Sequence, residues 1–234
     1  MEEPPSPAIR AGSSIREGFS ALLRRPFRGI ALLSLLIALV LESLPEEGDS
    51  ATLLAALLLL AMSLYLQISL TLAAAATEPT ESVDVWLKQA LARRCFWRYV
   101  GVSLLVVLSV VAAGVIGLVI GGFLVGGILA LADQAVVLEG KRPLEAVARS
   151  AELGKPARMA LIVVFGLMVL IPGLSVQIGG IVWDLNAFFG DVWPLIPVVV
   201  MVLGLVGTIA LTRAFITLGG EVVRTPPRRV PPPP

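Results

Sequence analysis

Chemistry at membrane depth requires an ionisable or strongly polar side chain inside an apolar run, and this sequence offers few. Asp133 and Gln134 stand side by side before Ala135-Val136-Val137-Leu138, Gln67 interrupts an uncharged stretch from Ala51 to Ala76, and Arg213 lies inside the last apolar run. A deep carboxylate is a proton or cation site by default. The competing reading is a structural carboxylate near the membrane surface, hydrogen-bonded to a neighbouring helix or to Arg213. No second deep acid accompanies Asp133, which favours the structural reading. The stem of Arg213 is long enough to snorkel to headgroups. Gln67 is of the type that bonds across helices.

Catalysis is poorly provided for. The chain has no histidine, which removes the commonest metal ligand and general base. No nucleophile–base pair, metal-ligand cluster or phosphate loop is present. The single cysteine, Cys95, excludes an internal disulfide. Arg93, Arg94 and Arg98 beside it give two readings, a thiol of lowered pKa that could accept a lipid chain, or an inert interfacial cysteine. The expectation is a protein without catalytic activity, metal or cofactor.

The elements that position these residues follow from composition. Of 234 residues, 57% are hydrophobic and 15% charged, with a mean hydropathy of +0.92. A water-soluble domain needs more polar surface than that. Uncharged blocks exceed the roughly 20 residues that cross about 30 Å of hydrocarbon. The expected class is an all-α membrane protein with six spans at about 27–44, 51–76, 99–118, 121–138, 159–178 and 195–218. Glycines 114, 117, 121, 122, 126 and 127 punctuate the long third block, and a tight turn near Gly121-Gly122 would divide it. Such glycines also let helix backbones approach closely. A Pro-rich tail, 1–12, precedes the membrane domain, 13–218, and a Pro/Arg-rich tail, 219–234, follows it. No cleaved signal peptide is legible at Met-Glu-Glu-Pro-Pro.

All 18 basic residues fall in four segments, around 10–28, 88–98, 141–158 and 213–229, whereas the other loops carry only Glu46, Glu47, Asp49, Asp184 and Asp191. The positive-inside rule then puts both termini in the cytoplasm of a bacterial inner membrane. Each of three basic segments before a hairpin contains an amphipathic stretch. The first opens at Ser14-Ile15-Arg16-Glu17, a capping-box pattern. In the second, Val83, Trp86, Leu87, Ala90 and Trp97 share a face; in the third, Leu144, Val147, Ala148 and Ala151 do. Arg25-Pro26-Phe27-Arg28, Cys95-Phe96-Trp97-Arg98 and Lys155-Pro156-Ala157-Arg158 close these stretches at intervals of 70 and 60 residues. A three-fold repeat of surface helix plus hairpin accounts for this, as do the separate needs of three helices entering one membrane.

The run Val137-Leu138-Glu139-Gly140-Lys141-Arg142-Pro143-Leu144-Glu145-Ala146, with Arg149-Ser150 and Leu153-Gly154, resembles the membrane domain associated with glycerophosphoryl diester phosphodiesterases. The resemblance implies about six spans, and no phosphodiesterase activity, since that chemistry belongs to a soluble domain this chain lacks. Relatives carry an aromatic residue where Ala151 stands here.

These features suggest a non-catalytic accessory subunit or membrane-organising scaffold. Lys141, Arg142, Arg149, Lys155 and Arg158 are the expected contacts to anionic headgroups or to a protein partner, with no role for nucleic acid. A transporter or export-permease component is the alternative, supported by the repeat and opposed by the scarcity of deep polar residues. A lipid-handling enzyme fits least.

Overall fold

The computed structural model describes residues 16, 18, 20–21, 25–44, 49–76, 82–117, 120–167 and 195–222. The N-terminal tail, the C-terminal tail beyond residue 222, the cap at Ser14, a bend expected at Pro172-Gly173 and the loop bearing Trp183 and Trp193 lie outside them. The described elements are all helical: α1 (Arg25–Glu42), α2 (Ser50–Ala75), α3 (Val83–Arg93), α4 (Phe96–Ile116), α5 (Ile120–Leu129), α6 (Ala132–Glu139) and α7 (Pro143–Leu153). A 3-10 turn, Lys155–Ala157, leads into α8, described over 158–167, and α9 covers Leu195–Thr217.

Among the described residues, three stretches are long and apolar enough to cross a membrane: α2, α4, and Ile120–Glu139, which is α5 and α6 end to end. Leu53, Leu54, Leu57 and Leu58 of α2 and Leu104, Val107, Leu108 and Val111 of α4 are exposed. In water so broad an apolar surface would drive association; facing lipid tails, it carries no such penalty. By contrast α6 is enclosed, with Ala132 and Ala135 through Leu138 all buried. It packs against α2, α4 and α7.

Two local devices fix the helix ends. Asp49 caps α2 by accepting the Thr52 N–H at 2.8 Å, and that bond holds its carboxyl below the usual range. Gly140 ends α6 at φ +70°, a conformation that favours glycine. Its N–H donates to Val136 O at 3.1 Å.

Helix α4 ends at Ile116 and α5 begins at Ile120, so the break between them comes earlier than the expected Gly121-Gly122. Those two glycines instead lie within α5 and press onto α4. A Cβ on Gly122 would stand 3.0 Å from Val110 O, and one on Gly117 would stand 2.8 Å from Gly121 Cα. The hairpin therefore packs backbone against backbone.

The surface helices are seated differently from their expected faces. Trp86 and Ala90 of α3 are buried as anticipated, but Trp97 is 80% exposed. Arg94 ends α3 in a left-handed conformation, so the helical phase does not carry through to Trp97. In α7 the buried side chains are Ala146, Ser150 and Leu153, while Leu144 is 73% exposed. A hydrogen-bonding serine and a close approach of Pro143 to Gly101, rather than the apolar stripe, set the face of α7. A Cβ on Gly101 would stand 3.3 Å from Pro143 Cγ.

Candidate functional site

The chain from Ile120 to Glu139 is interrupted at Ala130-Leu131, where neither residue is helical. The interruption removes helical partners from buried backbone groups, and Ser150 of α7 replaces them. Its hydroxyl donates to Ile128 O at 2.8 Å and accepts from Leu131 N–H at 3.1 Å. Ser150 is fully buried. In the sequence it stands out only as part of the Arg149-Ser150 pair, yet it holds the break together.

Just beyond the break, a cavity of about 210 Å³ is lined by Thr71 of α2, Tyr99 of α4, Asp133 and Gln134 of α6, and Thr208 of α9, with apolar walls including Phe165. Asp133 Oδ1 accepts from Ser103 Oγ at 3.1 Å. The bond to a neighbouring helix expected for this carboxylate is present, and it comes from α4. Gln67 bonds across helices as its type predicted: Thr208 Oγ1 lies 3.0 Å from Gln67 Oε1. Thr71 Oγ1 donates to Gln67 O at 3.0 Å. Gln134 is buried, and its Oε1 has no hydrogen-bond partner among the described residues. Thus Asp133 and Gln134 line one small volume, and Gln67 is joined to it through Thr71 and Thr208. Arg213 is not among the residues lining it. Its carbonyl accepts from Thr217 Oγ1 at 2.8 Å.

Tyr99, Thr71, Ser103 and Thr208 are the members that sequence reasoning missed. Tyr99 and Ser103 are one turn apart on α4 and share a face, a spacing legible in advance. Nothing local marks Thr71 or Thr208, because a lone threonine in an apolar helix usually bonds its own backbone.

The basic segment divides into internal and outward-facing members. Arg149 pairs with Glu139 at 3.3 Å and with Glu152 at 3.4 Å. Burial lowers its pKa, and the Glu139 and Glu152 carboxylates more than offset this. Glu139 Oε1 also accepts the Glu221 N–H at 3.1 Å, which ties the chain after α9 to the end of α6. Arg149 is therefore a structural link more than an open contact. Arg93 is also turned inward, and Arg98, though exposed, lends one N–H to the fold. Arg93 Nη1 donates to Val137 O and Leu138 O, and Arg98 Nη1 to Gly140 O at 3.0 Å. These supply donors to carbonyls at the C-terminal end of α6, which lack helical partners. Arg142, Lys155 and Arg158 are exposed, and Lys141 is partly so.

Cys95 is buried among these groups. Burial raises its thiol pKa, and Arg93 and Arg98 only partly offset that. Of its two readings, the thiol of lowered pKa does not hold, because desolvation outweighs the charge of its basic neighbours.

Comparison with family models, curated proteins and solved structures returns no match.

Proposed function

We propose that this chain is a non-catalytic, six-span protein of a bacterial cytoplasmic membrane, with both termini inside and a three-fold repeat of surface helix plus hairpin. The proposal includes kinship with the stand-alone membrane domain of the glycerophosphoryl diester phosphodiesterase type. Its function is to gather anionic lipid at its cytoplasmic face, and to dock a protein there as an accessory subunit or scaffold.

The supporting observation is a repeated pairing of exposed apolar and basic side chains. Trp97 stands beside Arg98, Leu144 near Arg142, and Met159 beside Arg158, all six exposed. An apolar group at the acyl boundary next to a cation at the phosphate level is how an interfacial surface selects anionic lipid.

Each base near such a surface contributes about 1 kcal/mol. The triple variant Arg142→Glu, Lys155→Glu, Arg158→Glu should therefore reduce enrichment of phosphatidylglycerol over phosphatidylcholine on the purified protein at least about tenfold. Native mass spectrometry from mixed-lipid nanodiscs reads this ratio. An unchanged ratio in a folded triple variant overturns the lipid-docking reading.

The transporter-component reading is favoured by one observation, the gathering of Gln67, Asp133, Gln134 and Thr208 beside an interrupted helix. The scarcity of deep polar residues counts less against it once those present converge.

A further inference from the structure

We propose that the cavity between α2, α4, α6 and α9 binds one small monovalent cation. The Asp133 carboxylate supplies the charge, and the Gln134 amide oxygen with the Thr71 and Thr208 hydroxyls supplies neutral ligands. This goes beyond the docking reading and does not depend on it.

The polarity of the lining carries the inference. Each threonine hydroxyl has one hydrogen to give. Thr71 gives its hydrogen to Gln67 O, and Thr208 gives its own to Gln67 Oε1 or Gly204 O, each at 3.0 Å. Both hydroxyls are left with lone pairs only. Ser103 bonds Asp133 Oδ1, and a single hydroxyl hydrogen does not neutralise a carboxylate. Among the described residues, no lysine or arginine lines the cavity. The described wall thus combines one acid with two threonine oxygens whose hydrogens are committed elsewhere, beside the Tyr99 hydroxyl.

Gln134 adds an independent observation. Its Oε1 is buried without a partner among the described residues, which costs about 1–3 kcal/mol if nothing binds it. A purely structural polar cluster would satisfy that oxygen, and Gln134 itself lines the cavity, which brings its amide within reach of a ligand there. Leu129 and Ala130 also line the cavity. They bring the C-terminal end of α5 to the cavity, and a helix C-terminus favours positive charge.

Size and charge define the ligand. At about 30 Å³ per water, a cavity of about 210 Å³ accommodates an ion with part of its hydration shell. Divalent ions are usually held by several carboxylates or by substrate phosphates, whereas one carboxylate matches one positive charge. Oxygen ligands without thiolate or imidazole suit a hard alkali cation or a small primary ammonium.

The test uses the purified full chain in detergent. Thermal unfolding is followed while sodium, potassium or methylammonium chloride replaces N-methyl-D-glucamine chloride at constant ionic strength. A ligand that binds only the folded state raises Tm with concentration. At least one small cation should raise the wild-type Tm saturably. Asp133→Asn, which retains an acceptor for Ser103, should lose that response. Gln134→Leu should match or exceed the wild-type Tm without small cations, since it removes an unpaired buried oxygen. It should also need at least about tenfold more cation for the same rise. Should Asp133→Asn fail to fold, Gln134→Leu decides alone. The proposal is overturned if no small cation raises the wild-type Tm above the N-methyl-D-glucamine baseline, or if the folded variants titrate as wild type does.

Discussion

Gly127→Ala is expected to destabilise the protein by about 1–3 kcal/mol, whereas Gly204→Ala should stabilise it by up to about 1 kcal/mol. The same chemical change takes opposite signs because the two sites differ in space. A Cβ on Gly127 would stand 2.6 Å from Ile162 Cα and 2.9 Å from Ile162 N. Backbone cannot swing aside as a side chain does, so α5 and α8 would have to separate. At Gly204 no described atom lies within 4 Å of the added carbon, and only the helix-propensity gain of alanine remains. Unfolding of purified variants in mixed micelles measures both. If Gly127→Ala is as stable as wild type, the close approach of α5 and α8 does not exist in the membrane.

Ser150→Ala should cost about 2–3 kcal/mol, because it leaves Ile128 O and Leu131 N–H without their buried partner. Ala148→Ser, on the exposed side of the same helix, should stay within about 0.5 kcal/mol of wild type. The contrast isolates the buried hydroxyl from any general effect of altering α7. Hydrogen exchange at Leu131 should accelerate in Ser150→Ala as the interruption loses its outside support. Unchanged exchange and stability would mean that the break is held by other groups and that α7 is not needed to secure it.

These two sites also show where sequence patterns succeed and where they stop. Charge-free blocks located α2 and α4 within a few residues, because spanning length is a property of the local chain. Glycine density located the hairpin of α4 and α5 but misplaced its turn. Glycine serves both a turn and a close helix approach, and Gly121 and Gly122 serve the second purpose. Asp133, Gln134 and Gln67 stood out singly as polar groups in apolar runs. Their convergence with Thr71 and Thr208 was hidden, because it depends on how distant helices pack. The bonds of Ser150 and Arg149 were hidden for a related reason. Both look solvated beside their charged neighbours, yet the serine mends a helix break and the arginine pairs with a carboxylate that is itself only 5% exposed. Buried thiol Cys95 is the electrostatic counterpart, where charge was visible in the sequence and desolvation was not.

The account rests most heavily on which ends of the helices face the cytoplasm, and sidedness of thiol labelling measures that directly. In a Cys95→Ser background, single cysteines replace Asp49, Lys88 and Arg142, all exposed residues. An impermeant maleimide is applied to intact spheroplasts and then to permeabilised ones. The account predicts that the cysteine at position 49 reacts in intact cells, while those at positions 88 and 142 react only after permeabilisation. Protection at position 49 together with labelling at position 142 in intact cells would contradict it.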